Sequence, residues 1–387
     1  MVKTALSDRG PGREISALLF VVLLVSAPAC ALINIPEDYP LVQQGIDAAI
    51  QGDTILIWPG TYIEELEINQ TDLTLGSRFL TTNDTSFISN TILDGDSTLH
   101  ILTCNGPQHS CISGLTFTHG FGYYTGANNQ WWGGAISVFD STEIDIFNCR
   151  FVTNYGESNP GITAYDSSSV SVRNCLFFQN TGTRTTLIRN TRGRITIIRG
   201  CAFQSNEIND SPIIANLVGQ YLSVDSCVFH DNLGSVDLSN SPMFILSYTT
   251  WTELTNCLFR NNTLSKQPGI IHLEQADTLI IRDCVFDSTT IESAQYDNGG
   301  YSYFINLLVN NDNVILQNIR ITANQSTNGN DFGIGIFAQA NESLVADSIF
   351  VINNYEEFEY DKSGQPGCRL FSLGTVEASN IYRAAQN

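Results

Sequence analysis

The stretch 149–154 reads CRFVTN, and its pattern returns as CLFFQN at 175–180, CAFQSN at 201–206 and CVFHDN at 227–232. The shared pattern is Cys-x-Phe-x-x-Asn, and these four cysteines are spaced 26 residues apart. CLFRNN at 257–262 and CVFDST at 284–289 continue the series after steps of 30 and 27 residues. Copies with an aliphatic residue in place of Cys begin at Leu115, Ile319 and Ile349. A period of this length indicates a solenoid built from one repeated coil.

Each repeat also contains two upstream segments of alternating apolar residues. One apolar residue lies three positions before the anchor, as at Ile146 and Val172, and another lies thirteen before it, as at Ile136 and Ile162. Period-two alternation indicates strands, and no repeat has a helical period. We therefore predict an all-β parallel β-helix of roughly eleven or twelve coils, each with three short strands. Equivalent residues of neighbouring coils then lie about 4.8 Å apart.

The two ends of the chain carry different signals. Residues 40–51, PLVQQGIDAAIQ, have apolar residues at a helical spacing, which predicts a helix that caps the first coil. Before it, Lys3, Arg9 and Arg13 precede an apolar run at 15–27 and Ala-Cys-Ala at 29–31. This pattern is typical of a signal peptide cleaved after Ala31. A membrane anchor and a lipid-modified Cys30 are the alternatives, and no other segment is apolar enough to span a bilayer.

On this interpretation residues 32–387 form one secreted or cell-surface β-helix domain. The whole chain has 39 acidic and 18 basic residues, of which two acidic and three basic residues lie within 1–31. The remaining 37 acidic and 15 basic residues give residues 32–387 a net charge of −22. A surface this negative repels phosphate backbones, so the composition argues against a nucleic-acid partner.

The repeated Cys, Phe and Asn positions predict structural columns. Leu115, Ile319 and Ile349 replace Cys in its column, which indicates an apolar slot for a buried thiol and not a metal site. The Asn column falls where each coil turns, where Asn tolerates a left-handed backbone and stacked amides can bond to one another. Cys104 and Cys111 lie outside the column, and a disulfide between them is a hypothesis for an exported chain.

Several segments resemble a known group of proteins. They are IPEDYPLVQQGIDAAIQGDTILIWPGTYIEE at 35–65, TILDG at 91–95, CISGLTFTHG at 111–120 and WWGGAI at 131–136, together with the Cys-x-Phe-x-x-Asn series. With these, the chain resembles secreted right-handed parallel β-helix proteins of the pectin lyase-like superfamily. GGAI at 133–136 followed by FVTN at 151–154 is similar to the repeats of polymorphic outer-membrane adhesins. The resemblance implies a fold that serves lyases, hydrolases, esterases and adhesins alike, and so no single activity.

The catalytic motifs that the resemblance would imply are absent. The Gln-Asp pair of the esterases and the Asn-Thr-Asp, Asp-Asp and Gly-His-Gly motifs of the polygalacturonase type do not occur. Lyases of the fold use Asp-bound Ca²⁺ with an Arg or Lys base. Arg189, Arg192 and Arg194 belong to the main basic cluster and could bind a carboxylate or supply such a base. The five histidines are expected to be surface residues, and we expect no cofactor beyond weak Ca²⁺ binding at acidic turns.

Two outward features point to binding. An insertion places Tyr123, Tyr124, Trp131 and Trp132 on one loop, and flat aromatic rings stack on sugar rings. The alternative is that this loop folds back over its own coil. A column of apolar residues is also expected to face outward, either covered by loops or free to contact a partner: Phe139, Tyr165, Leu217, Ile245, Leu307, Val309 and Phe337.

The sequence thus favours a non-catalytic protein that binds extracellular polysaccharide or a cell-surface partner in the manner of an adhesin. A uronate-polysaccharide lyase with a divergent site is the first alternative. A structural stalk, or a fragment of a larger surface protein, is the second.

Overall fold

A computed structural model describes residues 30–125, 130–235, 244–265, 270–292, 302–307, 311–327, 332–352, 354–356, 368–372 and 375–384. The predicted signal peptide falls on residues 1–31, of which 1–29 lie outside the described residues. Its cleavage therefore stays a prediction.

Short strands follow one another along nearly all of the described chain. The first part comprises β1 (Leu32–Ile35), α1 (Val42–Ala48), β2 (Thr54–Ile57), β3 (Gly60–Tyr62), β4 (Leu66–Asn69), β5 (Thr74–Ser77), α2 (Phe79–Thr82), α3 (Ser86–Asn90), β6 (Thr91–Asp94), β7 (Leu102–Asn105), β8 (His109–Ser113) and β9 (Thr116–Thr118). The next part comprises β10 (Phe121–Gly122), β11 (Tyr124–Thr125), β12 (Gln130–Trp131), β13 (Ile136–Phe139), β14 (Glu143–Phe147), β15 (Arg150–Val152), β16 (Tyr155–Gly156), β17 (Ile162–Tyr165), β18 (Ser169–Arg173), β19 (Leu176–Phe178), β20 (Thr181–Gly182), β21 (Ile188–Thr191), β22 (Ile195–Arg199), β23 (Ala202–Gln204) and β24 (Glu207–Asn209).

In the last part some strands are longer, because neighbouring strands of one coil run together. These are β25 (Ile214–Asp225), β26 (Val228–His230), β27 (Leu233–Ser235), β28 (Ile245–Thr255), β29 (Leu258–Arg260), β30 (Thr263–Ser265), β31 (Ile271–Glu274), β32 (Thr278–Asp287), β33 (Thr290–Glu292), β34 (Ser302–Leu307), β35 (Asn313–Thr322), β36 (Gln325–Thr327), β37 (Phe332–Ala340), β38 (Ser343–Ile352), β39 (Tyr355–Glu356), β40 (Cys368–Ser372) and β41 (Thr375–Ala384).

The strands pair in parallel from coil to coil, as a parallel β-helix requires. One ladder runs from β1 to β41 through thirteen strands, or twelve coil-to-coil steps: β1, β2, β5, β8, β14, β18, β22, β25, β28, β32, β35, β38 and β41. Two further ladders pass through β7, β13 and β17, and through β9, β15 and β19. This confirms the predicted fold and number of coils. A short fourth strand after each Asn, such as β24, was not predicted.

The interior is the set of columns that the repeat predicts. The residues three and thirteen before the anchor, such as Ile146 and Ile136, are buried. The Phe rings stack face to face from Phe117 to Phe286 with centroids 4.5–5.2 Å apart and planes within 12° of parallel. Because equivalent residues are separated by the strand spacing, identical rings meet at stacking distance without any special adjustment.

The Asn column forms a chain of amide hydrogen bonds from Asn154 to Asn262, and Thr289 interrupts it before Asn324 and Asn354. Asn180 Nδ2 donates to Asn206 Oδ1 at 2.9 Å, and Asn206 Nδ2 donates to Asn232 Oδ1 at 3.0 Å. The left-handed conformation, however, belongs to the residue before each Asn, such as Gln179 (φ 54°) and Ser205 (φ 53°). The expectation that Asn itself adopts it was therefore wrong; Asn is required here for its side-chain amide.

The six anchor cysteines are buried free thiols, as predicted. The proposed disulfide between Cys104 and Cys111 is wrong, because both residues are free. Cys104 points into the core from β7, whereas Cys111 lies on the outward side of β8. Burial raises the pKa of Cys104 to about 12, so this thiol stays protonated and unreactive.

The predicted capping helix is present as α1, which is shorter than residues 40–51. Val42 and Ile46 pack into the core cluster beside Ile33 and Ile35, while Leu41 and Ile50 remain exposed. The backbone N–H groups of Val42 and Gln43 donate to the Glu64 carboxylate at 2.9 and 3.1 Å. This carboxylate satisfies two of the N–H groups that a helix start leaves unpaired.

Candidate functional site

The outward face of β7, β13, β17 and β21 carries the main cluster of aromatic and charged residues. One column of this face consists of residues that are in register on successive strands, namely Thr103, Ser137, Thr163 and Arg189. Phe139 and Tyr165 occupy the next outward column, also in register. Inward residues between them, such as Val138, belong to the core.

The insertion folds back onto this face and extends its aromatic column. Its backbone forms an antiparallel hairpin in which Tyr124 on β11 pairs with Trp131 on β12. The Trp132 N–H donates to the Tyr123 carbonyl at 2.8 Å, and the two rings stack with centroids 5.9 Å apart and planes 11° from parallel. Trp132 also contacts Phe139 at 5.1 Å. The alternative that the loop covers its own coil therefore describes these two residues, although both keep part of their surface exposed.

The aromatic contacts continue along the helix axis to an arginine. Phe139 stacks on Tyr165 at 5.9 Å, and the Arg189 guanidinium lies beside the Tyr165 phenol one coil further. Burial lowers the pKa of Arg189, and the phenol opposes this change. Arginine remains charged at any physiological pH, so a half-buried cation borders the rings. We call Tyr123, Trp132, Phe139, Tyr165 and Arg189 together the aromatic face.

A histidine and two carboxylates lie at the other end of the aromatic face. His100 Nε2 is 3.2 Å from Glu65 Oε1, and the ring meets Trp132 edge-on at 4.7 Å. Burial lowers the pKa of His100, while Glu65 and Glu67 act to raise it. His100 was expected at the surface; it is buried because Trp132 packs over it.

Thr103, Ser137 and Thr163, in the neighbouring column of this face, carry buried hydroxyl groups. Ser137 Oγ accepts a hydrogen bond from the Gly133 N–H at 2.9 Å. Thr103 Oγ1 and Thr163 Oγ1 are buried and have no hydrogen-bond partner within the described part of the chain.

The predicted site residues are only partly brought together. Tyr123, Trp132 and Arg189 share the aromatic face, whereas the side chains of Tyr124 and Trp131 lie outside the described residues. Arg192 forms an ion pair with Asp166 at 2.6 Å, at a turn beyond the face. The predicted arginine cluster is therefore divided, since Arg194 also lies away from Arg189.

Arg194 lines a separate surface groove of about 460 Å³. It bonds to Glu143 Oε1 at 2.5 Å, and the groove also contains Asp72 and His109. His109 Nε2 contacts Asp145 Oδ2 at 2.8 Å. Arg194 and His109 thus each have an acidic partner, Glu143 and Asp145, respectively.

The predicted outward apolar column is correct for Phe139 and Tyr165, which face outward beneath covering groups. It is wrong for Ile245 and Leu307, which are buried in the core. Ile245 pairs with the inward Ile214, so the register of β28 is one residue later than the repeat alignment implies. Val309 and the side chain of Phe337 lie outside the described residues.

Some side chains of this site are exposed and could contact a ligand. The exposed parts of Tyr123 and Trp132 offer apolar ring surface, and the Arg189 guanidinium and the exposed Glu65 carboxylate offer charged hydrogen-bonding groups. Within the ranges that the structure describes, no group of three or more His, Cys, Asp or Glu residues is placed to hold a metal ion. In the same ranges, no helix has the length and apolar character needed to cross a membrane.

Comparison with known proteins agrees with this architecture. Residues 135–313 match the family model described as right handed beta helix region. Curated protein sequences give no match.

Among solved structures, the chain is similar to a Yersinia enterocolitica family 28 exopolygalacturonase, with 9% identity over 91% of this chain and 80% of that chain and a TM-score of 0.32. A mannuronic acid specific family 6 lyase from human gut microbiota has 9% identity, 88% and 91% coverage and a TM-score of 0.29. A surface adhesin of Streptococcus pneumoniae has 10% identity, 87% and 88% coverage and a TM-score of 0.26. Likeness at this level carries no argument about activity. The family match over residues 135–313 and the observed parallel ladders identify the fold as a right-handed parallel β-helix.

Proposed function

We propose that this protein is secreted or displayed at the cell surface and binds extracellular polysaccharide through the aromatic face. The observation that carries the proposal is the unbroken line of contacts from Tyr123 and Trp132 through Phe139 and Tyr165 to Arg189. It crosses three successive coils, so the exposed parts of Tyr123 and Trp132 lie about 10 Å along the helix axis from the Arg189 cation. A sugar chain needs this combination of flat apolar contacts and charge-assisted hydrogen bonds.

The exposed parts of Tyr123, Trp132 and Arg189 are the groups available to a ligand, since Phe139 and Tyr165 are almost fully covered. We expect the covered rings to position the other three by packing. Trp132 is the central residue, because it contacts Tyr123, Phe139 and His100 at once.

Retention on a panel of insoluble polysaccharides tests the proposal. Trp132→Ala and Arg189→Ala are each expected to weaken retention about tenfold, the loss of one stacking or charge-assisted contact. Trp58→Ala is the matched control, because Trp58 is an exposed Trp whose ring is covered by the Arg78 guanidinium at 4.3 Å. Equal retention of wild type and both site variants would overturn the proposal.

A carbohydrate-active enzyme is the second candidate, and the Glu65–His100 pair beside Trp132 is the observation that favours it. A carboxylate and an imidazole at hydrogen-bond distance can exchange a proton during bond cleavage. Absorbance at about 235 nm, where unsaturated uronates absorb, would rise during incubation with polyuronates if the protein were a lyase. A rise that Glu65→Gln abolishes would establish the enzyme; a flat trace with retention on a glycan supports binding alone.

A further inference from the structure

A second column of exposed side chains lies on a different sheet face. Ile195 on β22, Tyr221 on β25 and Trp251 on β28 are in register on three successive strands. Ile195 and Trp251 are 42% and 39% exposed, respectively, which is unusual for such large apolar side chains on consecutive strands. Glu253 follows Trp251 on the same outward side of β28. We call Ile195, Tyr221, Trp251 and Glu253 the Trp251 column.

The carboxylate in this column is held by the two aromatic residues. Trp251 Nε1 donates to Glu253 Oε1 at 2.8 Å, and the Tyr221 hydroxyl donates to Glu253 Oε2 at 3.3 Å. Each oxygen therefore has an aromatic donor. Burial raises the pKa of Tyr221 and the Glu253 charge raises it further, which keeps the phenol protonated as a donor. Among the described residues, no basic side chain forms an ion pair with Glu253. Glu143 and Asp225, by contrast, pair with Arg194 and Arg199, respectively.

A strained residue adjoins the column. Val218 has φ 59° and is 70% exposed, in the turn that leads to Tyr221. The same turn carries Asp166 and Arg192 in the two preceding coils, also at positive φ. A β-branched residue is disfavoured in this conformation, and an exposed valine does nothing to offset the cost by burial.

We propose that the Trp251 column is a second binding site, specific for the protonated amine of an amino-sugar polysaccharide. A carboxylate without a cationic partner, flanked by two aromatic rings, is the arrangement that binds organic ammonium groups through charge and cation–π attraction. The column is flat and follows the coil spacing, which suits stacked sugar rings. The net charge of −21 attracts a polycation at long range. The choice of a polysaccharide rests on the proposed function; the site itself does not involve the aromatic face.

Titration calorimetry with a glucosamine oligomer and an N-acetylglucosamine oligomer of the same length tests the site. In weakly acidic, low-salt buffer the first is cationic and the second neutral, and we expect the first to bind at least about tenfold more tightly. Glu253→Gln should remove this preference, and Trp251→Ala should weaken binding about tenfold. Trp58→Ala serves as the control, and circular dichroism of each variant checks folding. Tyr221→Phe is the milder second variant, because it removes only one hydrogen bond to Glu253.

The outcomes separate this site from the aromatic face. Loss of binding in the Trp251 and Glu253 variants, with normal binding in Trp132→Ala, supports the second site. Equal affinity for the two oligomers, or a preference that survives Glu253→Gln, would overturn it even if the aromatic face binds other glycans. Tighter binding of an oligolysine of matched charge would also overturn it, because the ligand would then be a basic peptide.

Discussion

Replacing Asn206 with Leu should destabilise the protein by an amount that the Asn column allows us to work out. The Asn206 side chain, which is buried, takes part in four hydrogen bonds. Its Oδ1 accepts from the backbone N–H and the Nδ2 of Asn180 at 3.0 and 2.9 Å. Its Nδ2 donates to the Phe177 carbonyl and to Asn232 Oδ1, both at 3.0 Å.

Leucine has a similar size but can make none of these bonds. At about 1 kcal/mol for each hydrogen bond, the loss is about 4 kcal/mol, and the buried N–H of Asn180 is left without its acceptor. We therefore expect the free energy of unfolding to fall by about 3 to 5 kcal/mol. The control is Asn209→Ala, because the half-buried Asn209 side chain donates one bond of 2.9 Å to the Gly182 carbonyl. Its expected loss is about 1 kcal/mol.

Urea denaturation followed by tryptophan fluorescence and by far-ultraviolet circular dichroism measures both losses. Coincident transitions and an unchanged slope with denaturant would show that the free energies are comparable. If Asn206→Leu costs no more than Asn209→Ala, the amide ladder contributes nothing beyond an ordinary surface bond, and the reasoning fails.

Three further predictions concern packing, thiols and pH. Phe203→Ala should lower the free energy of unfolding, measured with urea, by about 3–5 kcal/mol, because the Phe203 ring lies between two Phe rings at centroid distances of 4.8 and 4.7 Å. The outward Phe178→Ala is the control and should lower it by less than about 1.5 kcal/mol. Equal losses would contradict the stacked core. A thiol reagent should label the buried Cys104 only after unfolding, and a non-reducing gel should show no internal disulfide. Because burial lowers the pKa of His100 below 6.5, the unfolded chain binds its proton first, so stability should fall as the pH drops through 6.5 and below. His100→Gln should lack that part of the pH dependence, and identical profiles would refute the assignment.

The repeat made the fold predictable because each coil places the same residue above its equivalent. A period of 26 residues and an apolar residue three before each anchor are enough to place Ile146 and Val172 in one buried column. The prediction failed where the period changes. The extra residue of β25 between Leu217 and Gly219 shifts the register against β28 by one, so that Ile245 lies inward where the repeat alignment placed it outward.

The candidate site was less predictable, because its contacts join parts of the chain that the period does not relate. Trp132 and Arg189 could be identified by residue type, but their connection through Phe139 and Tyr165 depends on how the insertion folds back. Glu65 and His100 are brought together by a contact across coils and carry no motif. The only available signal was that both lie one or two residues before strands of one ladder, β4 and β7.

Several differences in coil length occur at one corner of the β-helix, whereas the insertion that holds α2 and α3 lies at another corner, between β5 and β6. Between the short fourth strand and the next long ladder, one coil has the five residues 183–187, another has 236–244 and a third has 357–367. The aromatic insertion, 123–135, occupies the same interval. The parallel ladders do not pass through this corner, so its length can change without disturbing strand register or core. The fold thus separates a part that must repeat from a part that is free to diverge, and loops of other lengths could be exchanged there to give new binding specificities on an unchanged frame.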